Sequence, residues 1–276
     1  MLWALVGLAW ADEVFAEAAD PRDKPFEEPE AELAAELGGA WSAGNTDSRT
    51  LTSSFAGAYR FHRNQIGSKG GLILGSAKPD TDGDGTLSEE ERKAERVETA
   101  RQAQALLRYD RFITERSSVY VLAGAYTDPY TGYDSRFNAQ TGYSRQLFLA
   151  EKPAETEEGS PTTLTRVHAE VGLDFAREDF AEGVEPELER KVSGRAGLSV
   201  AQLITPGLLV SDDVEVFVNV RDPRDTRAVN ILALSNQLSD KMAVKLSYKL
   251  TYDTDPVEGY VKADHVGLIT LVATVF

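Results

Sequence analysis

From Glu32 onward, apolar and polar residues alternate along the chain in blocks of about ten to fourteen residues, and polar turns separate the blocks. The clearest block spans residues 241–252. One of its faces carries Met242, Val244, Leu246, Tyr248, Leu250 and Tyr252. The other face carries Lys241, Ala243, Lys245, Ser247, Lys249 and Thr251. Because successive side chains of a strand point to opposite sides, the block predicts a β-strand with one apolar and one polar face.

The whole set of blocks predicts twelve strands, at residues 31–43, 49–62, 66–77, 100–113, 118–127, 135–148, 164–176, 190–204, 210–221, 226–238, 241–253 and 264–276. An even number of strands brings both chain ends to the same side of an up-and-down barrel, with short turns there and longer loops on the opposite side. Most connections follow this rule. The long acidic connection 149–163 breaks it, which leaves open a merged or missed strand pair.

Alternation alone fits a soluble sandwich as well as a membrane barrel. Three further features favour the barrel. The blocks exceed the usual soluble strand of about five or six residues. Aromatic residues recur near block ends on the apolar face, at Tyr59, Phe61, Tyr109, Tyr143 and Tyr252. The chain stops at Phe276 after Leu268, Thr270, Val272 and Thr274, which resembles the terminal strand signal of outer-membrane proteins. We therefore expect residues 31–276 to form an all-β transmembrane antiparallel up-and-down barrel of about twelve strands.

The N-terminus carries a short apolar run, Leu2–Ala11, followed by acidic residues. A run of this length is too short for a membrane-spanning helix, which needs about 20 residues. Its end, Ala9-Trp10-Ala11, has the small-x-small form of a signal-peptidase site. We predict a signal peptide at 1–11, an acidic disordered segment at 12–30, and localisation in the bacterial outer membrane. A buried N-terminal strand or helix is the alternative.

Composition narrows the range of partners. The chain has a formal net charge of −16, which disfavours nucleic acid, because phosphate binding needs a basic surface. It has no cysteine, so disulfides and thiolate metal sites are excluded. The expected partners are outer-membrane lipid and, during insertion, the barrel-assembly machinery. The oligomeric state is open.

Several turn segments occur in a characteristic order. They are Gly44-Asn45-Thr46-Asp47-Ser48, Tyr126-Thr127-Asp128, Tyr133-Asp134-Ser135-Arg136, Gly142-Tyr143, Val171-Gly172-Leu173-Asp174-Phe175 with Glu178, and Tyr252 to Gly259 followed by Lys262 and Asp264. In this order the chain, over roughly residues 31–276, resembles the YdiY-like family of salt-induced outer-membrane proteins, a family of unknown function. The resemblance implies an outer-membrane barrel and supplies no catalytic or binding residues.

Residues 78–99 form an insertion that the family does not generally have. It contains the twelve-residue spacing of an EF-hand calcium loop, with Asp80, Asp82, Asp84, Gly85, Thr86, Ser88 and Glu91. Alternate positions let the aspartates converge, and Gly85 permits the turn that brings in the Thr86 carbonyl. Ser88 would act through a water. Glu91 would bind with both oxygens from the first turn of a helix that we expect to run to about Glu98.

The loop predicts a Ca²⁺ site of weak affinity, in the extracellular class of about 10⁻⁴ to 10⁻³ M. The alternative is an acidic, glycine-rich hairpin tip that binds no ion.

The predicted lumen face carries charges of both signs, at Arg60, Arg108, Asp110, Arg136, Glu170, Asp174, Arg195, Glu215, Lys245 and Lys249. Such a set can neutralise itself and fix the shape of the barrel, or it can line a selective pore. His168 falls on the same face as Glu170, whereas a lipid-active Ser-His dyad would have to face lipid. We predict a non-enzymatic structural envelope component or narrow porin-like pore with a calcium-binding external loop. The alternatives are an outer-membrane lipid-active enzyme and a secreted soluble calcium-binding β protein.

Overall fold

The computed structural model describes residues 26–43, 47–82, 86–131, 133–152, 162–180, 187–239, 241–256 and 261–274. Within them lie the strands β1 (Phe26–Ser42), β2 (Ser48–His62), β3 (Asn64–Ala77), β4 (Val97–Thr114), β5 (Ser117–Asp128), β6 (Tyr133–Lys152), β7 (Thr162–Phe180), β8 (Leu188–Thr205), β9 (Leu208–Asn219), β10 (Thr226–Ser239), β11 (Met242–Asp253) and β12 (Ala263–Thr274). Helix α1 (Glu89–Lys93) and a 3₁₀ turn (Pro129–Thr131) lie in two of the connections. Each strand pairs antiparallel with its chain neighbours, and β1 pairs with β12 to close the barrel. The predicted twelve-strand barrel is confirmed.

The two faces of the sheet divide the residue types as the alternation predicts. In β11 the inward side chains of Ala243 and Lys245 are buried, while Leu246 and Tyr248 on the outside are 51% and 43% exposed. The same pattern repeats around the barrel, so the exterior is apolar and the interior is polar. This is the reverse of a soluble protein and is typical of a transmembrane barrel. No helix among the described residues is long and apolar enough to cross a membrane.

The connections differ in length at the two ends of the barrel. After β2, β4, β8 and β10 the chain turns within one or two residues, and we call this the short-turn end. Gly207, with φ of +94°, supplies the left-handed backbone of the β8–β9 turn. The connections after odd-numbered strands are longer and define the long-loop end.

The hairpin of β6 and β7 accounts for the long connection that broke the predicted rule. Its two strands stay paired as far as Lys152 and Thr162, whereas the pairing of β5 with β6 stops at Ser117 and Arg145. A two-stranded ribbon therefore extends beyond the neighbouring strands at the short-turn end. Residues 153–161, which connect β6 to β7, fall outside the described residues.

One prediction about the chain ends needs correction. Residues 26–30 belong to β1, not to the acidic disordered segment, because Phe26 and Glu30 pair with β2. In β12, Thr270 and Val272 of the terminal signal are buried inside the barrel, and Ile269 and Leu271 occupy the outward face. Thr270 and Val272 of the alternating set therefore face inward. Phe276 itself and the predicted signal peptide lie outside the described residues.

The seam that closes the barrel joins the two ends of the chain. Among the described residues, β1 and β12 pair from Ala34 with Thr274 to Gly38 with Thr270, which gives five residue pairs. On its other side β1 pairs with β2 along almost its whole length. A Cβ atom at Gly38 would lie 2.6 Å from the Ile269 carbonyl oxygen and 2.7 Å from Thr52 Oγ1. Gly38 therefore permits the close approach of the two strands at the seam.

Candidate functional site

The most densely connected polar cluster of the described residues lies inside the barrel and begins at Arg108 on β4. Its guanidinium donates to both carboxylate oxygens of Asp110, each at 2.8 Å. It also donates to both oxygens of Glu170 on β7, at 3.1 and 2.7 Å. This bidentate geometry is the strongest form of an arginine–carboxylate contact. Arg108 thus joins strands that are three positions apart in the barrel.

Arg195 on β8 continues the same cluster. Its Nη1 donates to Glu170 Oε2 and to the Tyr120 hydroxyl, both at 2.7 Å, and its Nη2 donates to Glu215 on β9. The Arg108 guanidinium lies 4.0 Å from the centre of the Tyr120 ring, in cation–π geometry. Side chains from five strands, β4, β5, β7, β8 and β9, therefore meet around Glu170. We call Arg108, Asp110, Tyr120, Glu170, Arg195 and Glu215 the lumen network.

The lumen network is shielded from solvent. Arg108 is 1% exposed, and Glu170 and Arg195 are 2% exposed. A water-filled lumen at this level would leave interior side chains accessible, as in wide porins. The interior of the barrel is therefore filled with side chains at the level of the lumen network.

Other interior charges are paired in smaller clusters. Lys245 donates to Glu36, which also accepts from Thr270 Oγ1 at 3.2 Å. Arg60 donates to Glu32 Oε1 at 2.7 Å. The predicted lumen charges are all buried except Lys249, which is half-buried. The mixed-charge interior thus consists of salt bridges between strands.

A recess opens at the long-loop end, and we call it the vestibule. It is lined by Arg136, Asp174, Glu178, Lys191, Phe217, Asp225, Arg227 and Asp253. Lys191 Nζ lies 3.1 Å from Asp225 Oδ2 and 3.6 Å from Glu178 Oε2, so carboxylates of the neighbouring strand β7 and of the β9–β10 loop compensate its charge. On β7, Glu178 and Asp174 lie between the long-loop end and Glu170. The vestibule therefore lies beside the lumen network.

The histidine singled out from the sequence faces the interior, as expected. His168 Nε2 lies 2.8 Å from Ser144 Oγ and 3.3 Å from Glu170 Oε1. In a Ser-His-acid triad the serine and the acid contact opposite ring nitrogens, whereas here both contact Nε2. Ser144 and His168 are also 3% exposed. The pair therefore lacks both the geometry and the lipid access that a lipid-active enzyme needs.

The EF-hand-like segment brings three of its predicted ligands together. Carboxylate oxygens of Asp80, Asp82 and Glu91 all lie within 4.8 Å of one another. Thr86 and Ser88 are exposed, Leu87 is buried, and Asp84 lies outside the described residues. Ser88 is the N-cap of α1 and forms a capping box with Glu91. The local sequence therefore builds a turn with its last carboxylate fixed at the start of a helix.

Glu91 is held by donors of its own segment. Its Oε1 accepts from the backbone and hydroxyl of Thr81, both at 2.6 Å, and its Oε2 accepts from the backbone and hydroxyl of Ser88 at 2.9 and 2.8 Å. The Thr81 hydroxyl, the backbone amides of Ser88 and Thr81, and the Ser88 hydroxyl lower the pKa of Glu91 to about 2. A carboxylate has about four lone-pair sites, so these four bonds use all of them, and a cation bound by Glu91 would have to replace some of these donors.

The helix after this turn is shorter than expected. It ends at Lys93 instead of Glu98, because the chain re-enters the sheet where Val97 pairs with Ala77. Arg96 donates to Asp47 at 2.5 Å, and this hydrogen bond lowers the pKa of Asp47. The ion pair connects the segment to the neighbouring β1–β2 loop.

The sequence of most of the barrel matches one family model. A family model described as "Protein of unknown function, DUF481" matches residues 35–275. The chain belongs to the DUF481 family. The YdiY-like resemblance seen in the sequence is consistent with this membership. No curated protein is significantly similar to the chain.

Solved structures that are similar to this chain include a porin, an outer-membrane channel and an autotransporter domain. The NanC porin is 10% identical, with a TM-score of 0.48, over 88% of this DUF481 chain and 100% of its own. An outer-membrane channel from Pseudomonas putida F1 is 12% identical, with a TM-score of 0.47, over 93% and 99%. The translocator domain of the autotransporter NalP from Neisseria meningitidis is 15% identical, with a TM-score of 0.39, over 89% and 87%.

Sequence reasoning did not include Tyr120 among the interior residues. Its strand neighbours Val119 and Val121 are 43% and 53% exposed on the outer face. Tyr120 lies between them in β5, so its side chain points to the inner face. The signal was therefore present in β5. It is easily missed, because tyrosine is also typical of the aromatic girdles.

Proposed function

We propose that this protein is a bacterial outer-membrane barrel that serves as a structural envelope component or narrow pore, with the lumen network closing its interior to solutes of porin size. The main observation that supports this proposal is that Arg108, Glu170 and Arg195 are each exposed by 2% or less. The apolar exterior supports a membrane location and speaks against a secreted soluble protein. The buried Ser144–His168 pair speaks against a lipid-active enzyme.

Planar-bilayer conductance of the refolded protein tests this proposal. We expect the wild type to show small conductance steps or none, and we expect Arg108→Ala combined with Glu170→Ala to raise conductance, because the substitutions remove side chains that fill the lumen. Arg177→Ala is the matched control, since its guanidinium is exposed and pairs with Asp179 at 3.0 Å away from the network. Large porin-like steps in the wild type would overturn the proposal.

As a second proposal, the segment from Asp80 to Glu91 binds Ca²⁺. The supporting observation is the convergence of the Asp80, Asp82 and Glu91 carboxylates within 4.8 Å. Asp84, the Thr86 carbonyl and Ser88 through a water would complete the oxygen ligands that calcium requires. The convergence also brings like charges together, and a divalent cation would relieve their repulsion. Binding should order this segment and leave the closed strand network almost unchanged.

Calorimetric titration of the refolded barrel with CaCl₂ tests the second proposal. We expect saturable heat for the wild type and its loss in Asp80→Ala and Glu91→Gln. Glu89→Gln is the control, because it removes a charge from the same segment at a position that supplies no ligand. Mg²⁺ should compete poorly, since it requires a tighter octahedral shell. Equal heats in the wild type and both ligand variants would show that the segment is an acidic turn.

A further inference from the structure

Gln140 on the inner face of β6 carries a side-chain amide that the barrel does not pair. The residue is 3% exposed, and neither its Oε1 nor its Nε2 has a hydrogen-bond partner among the described residues. Buried polar side chains normally bond to protein groups or to ordered water, because an unpaired amide in the interior costs free energy. Oε1 requires a donor and Nε2 requires an acceptor. A group that both donates and accepts would therefore satisfy this amide.

Asp174 of β7 lies directly beside Gln140 and connects it to the vestibule. The two residues are partners in the register of β6 and β7, and both face inward. Asp174 lines the vestibule, where its carboxylate accepts from Asn138 at 3.3 Å and lies 3.8 Å from Arg136 Nη2. These contacts are longer than the bonds of 2.7 and 2.8 Å that Arg108 makes in the lumen network. The Asp174 carboxylate therefore retains lone pairs for a further donor.

The Tyr120 hydroxyl reaches the same space from the side of the lumen network. Tyr120 pairs with Gly142, and Gly142 pairs with Gly172, so two residues without side chains lie next to its ring. Cβ atoms built on the two glycines would lie 2.7 and 2.9 Å from Tyr120 Oη. Each glycine is one inward position, roughly 7 Å, from Gln140 or Asp174 along its own strand. One bridging group can therefore connect the hydroxyl to both side chains.

The Tyr120 hydroxyl has a hydrogen to donate. Its oxygen accepts from Arg195 Nη1 at 2.7 Å, and the described residues provide no acceptor for the hydroxyl hydrogen. The space between the three side chains thus has two donors, the Tyr120 hydroxyl and Gln140 Nε2. It also has two acceptors, Gln140 Oε1 and the Asp174 carboxylate. A hydroxyl group matches this set, because it has two lone pairs that accept and one hydrogen that it donates.

Charge and size favour a small neutral group in this space. At the inner end of the vestibule, Arg136 lies 3.8 Å from Asp174 and 3.4 Å from Glu178, and Lys191 lies 3.6 Å from Glu178. Two cationic and two anionic side chains compensate one another, so an additional ion would have no counter-charge. The vestibule has a cavity volume of about 20 Å³. A cavity needs about 10–15 Å³ to hold one water, so a single hydroxyl group fits.

We propose that Gln140, Asp174 and Tyr120 form a binding site for one hydroxyl group at the inner end of the vestibule. The hydroxyl belongs to a water molecule or to a small polyol that enters from the long-loop end. It accepts from Tyr120 and from the Gln140 amide nitrogen, and it donates to Gln140 Oε1 or to Asp174. This inference goes beyond the proposed function, because the site can be occupied whether or not the barrel conducts.

Side-chain amide NMR of the refolded protein in micelles, with ¹⁵N-labelled glutamine, tests the proposal. Gln140→Leu and Gln146→Leu assign the two signals by their loss, and heat modifiability on gels checks that both variants fold. We expect a cross-relaxation peak between water and the Gln140 amide. A glycerol titration distinguishes the two sources. A saturable shift of the Gln140 signal shows that a polyol enters, and an unchanged shift shows that water alone occupies the site.

Gln146 is the matched control for the glycerol titration. It is also 3% exposed on the inner face of β6, but it pairs with His168 on the other side of the lumen network. Glycerol should therefore leave its signal unchanged. A Gln140 amide with no cross-peak to water and no shift with glycerol would overturn the proposal. A saturable response of Gln140 to methylammonium chloride would also overturn it, because that response would indicate a cation site.

Tyr120→Phe tests the contribution of the hydroxyl, because it removes that group and keeps the ring. We expect it to weaken the water cross-peak of Gln140 and to raise the dissociation constant of any bound glycerol about fivefold, as the loss of one hydrogen bond predicts. Tyr143→Phe is the control, since the Tyr143 hydroxyl bonds to Ser117 at 2.8 Å and not to the site. Equal cross-peaks in the wild type and Tyr120→Phe would overturn the assignment of Tyr120.

Discussion

Glu170 in the lumen network and Glu91 in the long-loop segment are both buried carboxylates, but they are stabilised in different ways. Glu170 accepts from two arginines, Arg108 and Arg195, that are 62 and 25 residues away in the chain. Glu91 accepts from neutral donors, Thr81 and Ser88, that are 10 and 3 residues away. The first carboxylate is held by the closed barrel, and the second is held by its own turn.

This difference separates two functions of negative charge in one chain. The lumen network holds its charges in fixed pairs, so its removal should affect the whole barrel. The segment around Glu91 holds several carboxylates together through hydrogen bonds from nearby residues. The conformation of this segment can therefore change while the barrel stays the same. A protein of this design can combine a constant transmembrane body with one region that responds to its surroundings.

The largest expected effect is that of Glu170→Ala on stability. The substitution leaves two buried guanidinium groups without their shared partner, and breaking a buried pair costs about 3–5 kcal/mol in the free energy of unfolding. Guanidinium-induced unfolding in lipid vesicles measures it. Arg177→Ala, in an exposed pair, should cost less than about 1 kcal/mol. Equal losses for the two variants would contradict the distinction between fixed network and surface charge.

A smaller effect is expected when both members of an interior pair are removed together. Lys245→Met leaves Glu36 as an uncompensated buried charge and should be clearly destabilising. Adding Glu36→Gln should restore most of the lost free energy of unfolding, since no unpaired charge remains. The same unfolding measurement completes this double-mutant cycle. If the two losses simply add, the pair is not coupled.

The smallest effect on the barrel should come from acid, which acts on the loop segment. The pKa of Glu91 is lowered to about 2, so the ordering contributed by its carboxylate is present above the ordinary value of about 4.5 and is lost as the pH falls through about 2. A spin label at Lys93→Cys should therefore become more mobile between pH 4.5 and 2. Adding Glu91→Gln should make the label mobile already at pH 7. Unchanged mobility throughout this range would contradict the local mechanism.

The alternation of residue types was sufficient to predict the strands and their two faces. It placed Lys245 and Glu170 inside the barrel without information about their partners. Those partners depend on how the closed sheet is staggered, because Glu36 is 209 residues from Lys245. A period of two contains no information about that stagger.

Where both faces of a strand are similar, alternation does not determine which residues face inward. In β12, Val272 is inward and Ile269 and Leu271 are outward, so apolar residues occupy both alternate sets. Sequence alone could not distinguish them. The EF-hand spacing, in contrast, is a local pattern, and the convergence of Asp80, Asp82 and Glu91 follows from one turn and one helix cap.

The seam between β1 and β12 has a consequence for the kinetics of folding. All other strand pairs join neighbours in the chain and can form early as hairpins, whereas the seam must wait until both ends of the chain meet. Closing such a long loop is entropically unfavourable. We therefore expect closure of the seam to be the last and slowest step of folding, and its opening to begin the unfolding of the barrel.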